Sequence, residues 1–591
     1  MAPPRGSAPG TEYAAGLSGT PAPTRFGEGP VRLHCATGEQ KANKTGKDEM
    51  TSAIRLRRGT ILAIGLIGFI LPACSSSNAP DPFTTPPPSV CRDSDCPSGE
   101  ECEGAGCVPV RPTLYPHIQL ASVVLRNYVE DTEVEWRAQH ADLLVGRTVA
   151  WADRIRAANP DARLFEYTLF RYDYYPEDSE TWAELHGYDP EDLYLHYRED
   201  TTVPGYEAAV LVPGYPAGVV PGWNPDRSPD DPPASATERA QSRAVGMPFG
   251  TVDPWRMANI THAGYRRFLI DQMTALADGS LYGAANATGP VDGIMVDIGV
   301  YYPVFNDGVV NKTDEFYGVP LDDSHPYALG FVSHYTELIE GLDGRLSRPV
   351  DVMPNYGNVL FLASSDPLSQ GVLGACDWAW GEVWIMYRGN SSPTRGSARA
   401  VSYEYDYGPA ITSVIEQTRA GGRRVLGARD LETAPMGSER GRLFTLALYY
   451  LVHNPNTFYQ YESYNGHNYQ VHVAQWQWNP AVMYDVGRPD RVPDGFVDFE
   501  GNAGSTEHYE FAAGADPYDP SLTYHVLARK FTNALVLVKM LPVGSVVDDR
   551  SSTVHELDHA YYILQADGSV GIDPVFSVSL RNNEGVILVN P

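Results

Sequence analysis

The sequence predicts an α/β fold, a (β/α)8 TIM barrel with a small C-terminal antiparallel β-sandwich domain. Three observations carry this. From residue 118 short apolar runs alternate with helical patterns, the signature of parallel strands joined by crossover helices. Eight such runs precede a change of rhythm near residue 521. Beyond it, strand-like runs follow one another across turn sequences with no helix between them.

The eight runs are 120–129, 141–146, 162–170, 293–299, 349–355, 377–383, 424–429 and 457–462. A helix over 149–158 precedes the third. Tyr265, Phe268, Leu269, Met273 and Leu276 recur at helical spacing before the fourth, and Phe331, Tyr335, Leu338 and Ile339 before the fifth. Ile411, Val414, Ile415 and Thr418 form a further face, closed by Gly421-Gly422 as a C-cap. Ser438 reads as an N-cap before Leu443, Leu446, Ala447, Tyr450 and Leu451. The barrel spans 118–520, longer than the usual ~250 residues. The excess is one insertion near 171–258, rich in Pro, Gly and Tyr, of the kind that covers a binding face. The sandwich occupies 521–591, with strands at 526–531, 534–539, 559–564 and 575–580 and turns at Asp567-Gly568 and 583–585.

Upstream, Arg55, Arg57 and Arg58 precede an apolar stretch over 60–71, too short to span a bilayer. It runs into Leu71-Pro72-Ala73-Cys74, which resembles the lipobox of bacterial lipoproteins. The resemblance implies a signal peptide over 50–73 and lipidation of Cys74. Residues 1–49 then read as a mis-assigned upstream segment. The Pro/Ser-rich stretch 74–90 is an extended tether. Cys91, Cys96, Cys102 and Cys107 fall within 91–110. A zinc site and a disulfide module are both open to four such cysteines, and export favours two disulfides whose pairing stays open. Cys376 stands alone in a predicted strand and reads as a buried thiol.

The formal net charge of −30 argues against nucleic acid and polyanions as partners. No later segment is apolar enough to span a membrane. Metal-binding, nucleotide-binding and Gly-x-Ser-x-Gly patterns are absent, so neither a cofactor nor a metal is expected. His467 and His472 lie in a Tyr/Asn-rich loop and suit surface or substrate contacts.

Chemistry on such a barrel belongs at the C-terminal ends of its strands. Strand four ends in Asp297, followed by Tyr301 and Tyr302. Strand five ends in Asn355-Tyr356. Strand six carries Glu382 among Trp378, Trp380 and Trp384. Strand seven ends in Arg429, and strand eight in Glu462. Two facing carboxylates beside aromatic walls are what glycosidic cleavage requires. The aromatic rings then receive the apolar face of a sugar, and Tyr, Asn, Arg and Glu462 its hydroxyls. The structural alternative is that these tryptophans pack in the core, as aromatic residues more often do.

Asp292-Gly-Ile-Met-Val-Asp297, Gly381-Glu382 and the C-terminal run 528–538 together resemble the hypothetical glycosyl hydrolase family 15 over about 118–591. The resemblance implies Asp297 as nucleophile and Glu382 as acid/base. The chain departs from the common form where Asn533-Ala534 replaces Asn-Gly, which touches packing rather than chemistry. The expected function is a monomeric, surface-anchored O-glycoside hydrolase of the bacterial cell envelope, acting on a carbohydrate. The alternative is a glycan-binding lipoprotein whose barrel lacks catalysis.

Overall fold

The computed structural model describes residues 100–591 with interruptions. The segments 104–105, 110–117, 125–130, 197–242, 245–255, 281–290, 298–312, 357–366, 388–406, 431–438, 464–478 and 541–550, with some single positions, lie outside the described residues, as do 1–99. The upstream segment, the signal-like stretch, Cys74 and its tether, Cys91, Cys96, Tyr301, Tyr302, His467, His472 and most of the insertion therefore fall outside them. A hairpin pairs Glu100–Glu103 with Gly106–Pro109 and sets Cys102 opposite Cys107 in register, with only their backbone described. The described residues belong to one unit, Thr85–Pro591.

The chain is α/β. Eight strands carry it: β1 Ala121–Val124, β2 Leu143–Gly146, β3 Arg163–Leu169, β4 Gly293–Asp297, β5 Asp351–Pro354, β6 Trp378–Tyr387, β7 Arg423–Asp430 and β8 Thr457–Ser463. A helix lies between each and the next: α1 Asp131–His140, α2 Ala152–Ala158, α3 Ala263–Ala277, α4 Pro326–Asp343, α5 Pro367–Ala375, α6 Tyr407–Arg419 and α7 Glu439–Val452. β1 to β5 pair in parallel in sequence order, and so do β6 to β8. A parallel bridge from Asn355 to Trp380 joins β5 to β6, and another from Leu120 to Tyr459 joins β8 to the residue preceding β1. The order of pairing thus returns to its starting strand.

Alternation explains why these runs become strands buried on both faces. Ala121, Val123, Leu143, Val145, Phe165, Met295, Met353, Trp378, Trp380, Val425 and Phe458 form one inner cluster, with at least one residue from each of the eight strands. Their neighbours Leu144, Leu164, Ile294, Val352, Ala379 and Leu426 join the larger cluster shared with the helices. The helical stripes read from sequence on α3, α4 and α6 are the buried faces. His325 caps α4, its Nδ1 accepting from the Tyr327 amide at 3.1 Å ahead of Pro326.

Two of these seven helices are absent from the sequence expectation. α1 is polar and buries little more than Val134, Arg137 and Ala138, with Arg137 donating to Ser122 Oγ at 2.9 Å. α5 carries Gly371 and Gly374, which argue against a helix. β1 is described as Ala121–Val124, and the remainder of the expected run, 125–129, lies outside the described residues.

The C-terminal strands pair antiparallel throughout, and their arrangement turns on one strand. β9 Tyr509–Ala515, β10 Thr523–Lys530, β11 Ala534–Met540, β12 Thr553–Ile563, β13 Val575–Leu580 and β14 Glu584–Val589 form one antiparallel sheet in the order β9-β10-β11-β14-β12-β13. That strand is β12. It pairs with β13 from Thr553, shifts register between Glu556 and Tyr561, and reaches β14 only through Tyr562 and Ile563. One strand therefore serves both halves of the sheet. Its first strand begins before residue 521.

This sheet packs on α7, a helix buried along nearly its whole length. Gly585 of β14 is a point of close approach: a Cβ there would stand 2.7 Å from Ala447 Cβ and 3.1 Å from Phe444 Cα. The buried Arg529 of β10 satisfies the end of the helix. Its Nη1 donates to the carbonyls of Tyr450, Leu451 and His453 at 3.1, 3.1 and 2.8 Å.

Candidate active site

The two ends of the parallel strands carry carboxylates of different kinds. At the N-terminal end, Asp292 accepts from Arg156 Nη2 at 3.1 and 3.0 Å and from the Leu164 amide at 2.7 Å. Asp351 Oδ2 accepts from Arg163 at 3.1 Å and from the Trp378 indole at 3.0 Å. These acids tie neighbouring strands and cations together, which is structural work.

The C-terminal end brings Asp297, Asn355, Glu382 and Tyr167 together. Asn355 Nδ2 donates to Asp297 Oδ1 at 2.6 Å and to Glu382 Oε2 at 3.0 Å. The two carboxylate oxygens therefore lie no further apart than the sum of those bonds, 5.6 Å. Hydrogens spread at the ~120° of a planar amide place them about 4.9 Å apart. Tyr167 OH donates to the other oxygen of Asp297, Oδ2, at 2.9 Å. Asp297 and Glu382 are partly exposed, whereas Asn355 is buried. Tyr167 escaped the sequence reading; the signal available was a polar-tipped residue on the inner face of the third run.

A bulge presents Glu382. Gly381 pairs with Leu426, but the next partners are Ile385 and Ala428, so β6 uses four residues where β7 uses two. Glu382, Val383 and Trp384 occupy the excess. Gly427 lies opposite, and a Cβ there would overlap the Glu382 carbonyl oxygen. Glycine in the middle of a strand is thus the condition for the bulge.

The predicted aromatic wall is not where a sugar reaches. Trp378 and Trp380 are fully buried in the inner cluster. The Trp380 indole donates to Gln460 Oε1 at 2.8 Å, and Trp378 has the guanidinium groups of Arg163 and Arg423 at 5.5 and 5.2 Å from its ring. Trp384 is buried in the outer cluster. Tyr356 is buried as well, its hydroxyl donating to the Ser369 carbonyl at 3.0 Å. Packing and satisfied donors account for Trp378, Trp380 and Tyr356, which corrects their reading as substrate contacts; Trp384 is packed as well, but its buried indole Nε1 has no hydrogen-bond partner among the described residues. Arg429 pairs with Glu462 in the β7–β8 register, and only their backbone is described.

Cys376 is the expected buried thiol, and burial pushes its ionisation well upward. Among the described residues no three His, Cys, Asp or Glu side chains gather as a metal site, and no helix is long and apolar enough to cross a membrane. Part of the insertion is held by ions. Arg243 donates through Nε to Glu191 at 2.9 Å, and His196 lies 3.2 Å from both Glu191 and Glu315. Its partners hold Glu191 down at about 2 and push His196 up, against the opposing effect of burial.

No family model matches the chain, so the resemblance to the hypothetical glycosyl hydrolase family 15 gains no support there. No curated protein matches it either. Solved structures similar to it include a Nostoc punctiforme debranching enzyme, at 10% identity over 78% of this chain and 88% of that one, with a TM-score of 0.33. The trehalose-6-phosphate hydrolase of Bacillus licheniformis aligns at 9% identity over 81% and 100%, with a TM-score of 0.36. The glycoside hydrolase family 30 xylanase Xyn30A of Clostridium acetobutylicum aligns at 11% over 80% and 97%, with a TM-score of 0.31. These values are too low for a shared fold to follow from them.

Proposed function

We propose that the chain is a retaining O-glycoside hydrolase built on a (β/α)8 barrel, with Asp297 as nucleophile and Glu382 as acid/base. The observation that supports this most is the spacing. The Asp297 and Glu382 oxygens that share the Asn355 amide lie no more than 5.6 Å apart, nearer the ~5–5.5 Å separation of retaining pairs than the ~6.5–9.5 Å of inverting ones. Asp297 accepts on both oxygens, which suits the anion that attacks.

In this reaction Asp297 attacks the anomeric carbon and forms an ester while the bond to the leaving oxygen breaks. Glu382 gives its proton to that oxygen. Glu382 then takes a proton from water, the water oxygen bonds to the anomeric carbon, and the Asp297 carboxylate leaves. The substrate is a neutral or weakly charged carbohydrate, in keeping with the acidic chain.

The lipobox-like Leu71-Pro72-Ala73-Cys74 supports a lipid anchor on Cys74 and a place in the bacterial envelope, with the tether and a disulfide-bonded cysteine module holding a monomeric enzyme off the membrane. The test is the anomer first released from a panel of polysaccharides, read by proton NMR. Retention, with turnover abolished by Asp297→Asn and by Glu382→Gln, is expected. Inversion refutes the mechanism. Glycan binding that survives both substitutions, without turnover by the wild type, replaces the enzyme with a binding protein.

A further inference from the structure

We propose that Asn355 is a positioning residue whose single amide nitrogen sets the separation of Asp297 and Glu382. The inference rests on reading those two as the reacting pair.

Asn355 is clamped between the strands that carry the acids. Its backbone amide donates to the Val296 carbonyl at 2.8 Å, one residue before Asp297. The parallel bridge to Trp380 fixes it two residues before Glu382, and the following amide, that of Tyr356, donates to the Trp380 carbonyl at 2.7 Å. The side chain is buried and reaches both carboxylates through Nδ2. A primary amide nitrogen has two hydrogens in one rigid plane, so both are directed and the angle between them is fixed. The opposite orientation of the amide would turn its oxygen toward two acceptors. The geometry therefore assigns the donor end to the acids, and replaces the sequence expectation that Asn355 donates to substrate.

The arrangement suits a reaction in which charge moves between the acids. When Asp297 is esterified its donor is still in place for the anion that returns. When Glu382 is protonated, Oε2 still accepts from the same amide. Neither carboxylate has to rotate to find a partner between steps, which is how a rigid donor preserves near-attack geometry.

The experiment uses the full chain with 13C-labelled Asp and Glu carboxyls, followed by NMR at one pH. Asp297 and Glu382 resonances are identified by difference with Asp297→Asn and Glu382→Gln. In Asn355→Leu both carboxyl resonances should shift, because each loses the same donor, and kcat on any cleaved polysaccharide should fall more than tenfold with KM within about threefold. Movement of one resonance or neither overturns the proposal. Asn355→Ala serves the same purpose if the leucine variant does not fold. If both resonances move while the wild type cleaves no glycan, the positioning role stands and the glycosidase reading alone fails.

Discussion

Replacing Gly427 by alanine tests how the acid on β6 is presented. In an ordinary strand position alanine would stabilise by about 0.4–1 kcal/mol, because it restricts the unfolded chain. Here its Cβ meets the Glu382 backbone, with the Gly381 carbonyl oxygen 2.8 Å away as well. If the bulge holds, overpacking costs about 1–3 kcal/mol, so the net effect is destabilising. If the bulge relaxes, stability changes little, but Glu382 leaves the Asn355 amide, and a displacement near 1 Å costs about 10²-fold in rate. Urea unfolding of Gly427→Ala beside the wild type reads the first route, and kcat on a cleaved polysaccharide reads the second. At least one must respond. A variant with unchanged midpoint, slope and turnover would refute the account of the bulge.

Arg529→Met should lower stability by about 3–5 kcal/mol, since three helix-terminal carbonyls lose their donor at once and Glu507 keeps only Arg419 of its two cations; equilibrium unfolding checks this, and a loss below 1 kcal/mol contradicts it. Acid should destabilise through two buried histidines, held at about 3 for His334 and about 4 for His508 chiefly by burial. The unfolded chain binds a proton near pH 6.5 that the folded chain refuses, so their contribution is complete above that pH and is lost as pH falls toward the folded values. For His334 the loss between pH 7 and 4.5 is about 2–3 kcal/mol. His334→Leu should flatten the stability profile by that amount, and an unaltered profile would rule out the histidine.

Much of the fold was legible because both faces of the eight strands are apolar, so runs such as Gly293–Val296 stand out against the helices between them. The pair Asp297 and Glu382 was legible for a related reason: each is an acid that directly follows an apolar stretch of its strand. Orientation was not legible. Trp378, Trp380 and Glu382 alternate on one strand, and sequence cannot say that the first two pack beneath the site while the third opens onto it. The bulge that separates these fates depends on Gly427, whose only trace is a glycine inside Val425-Leu-Gly-Ala428. Asn355 was read as a donor of the right kind with the wrong recipient, because its two acceptors come from strands distant in sequence. The C-terminal sheet was read strand by strand, but its continuity depends on a register shift in β12 that leaves no compositional mark.

The docking of β14 against α7 has a consequence for how the protein is made. α7 has apolar residues on nearly every side, and one side is covered only when Gly585 and its neighbours arrive. β8, which completes the cycle of eight strands, follows α7 directly and depends on that helix for its outer packing through Tyr459. At ~5–20 residues per second, roughly 10 s separate the synthesis of β8 from that of β14. During that interval the nascent chain holds Asp297 and Glu382, the proposed reacting pair, without the cover that completes their scaffold. A ribosome stalled before residue 584 should therefore display a protease-sensitive α7, and activity should be born with the last strand rather than with the last residue of the site.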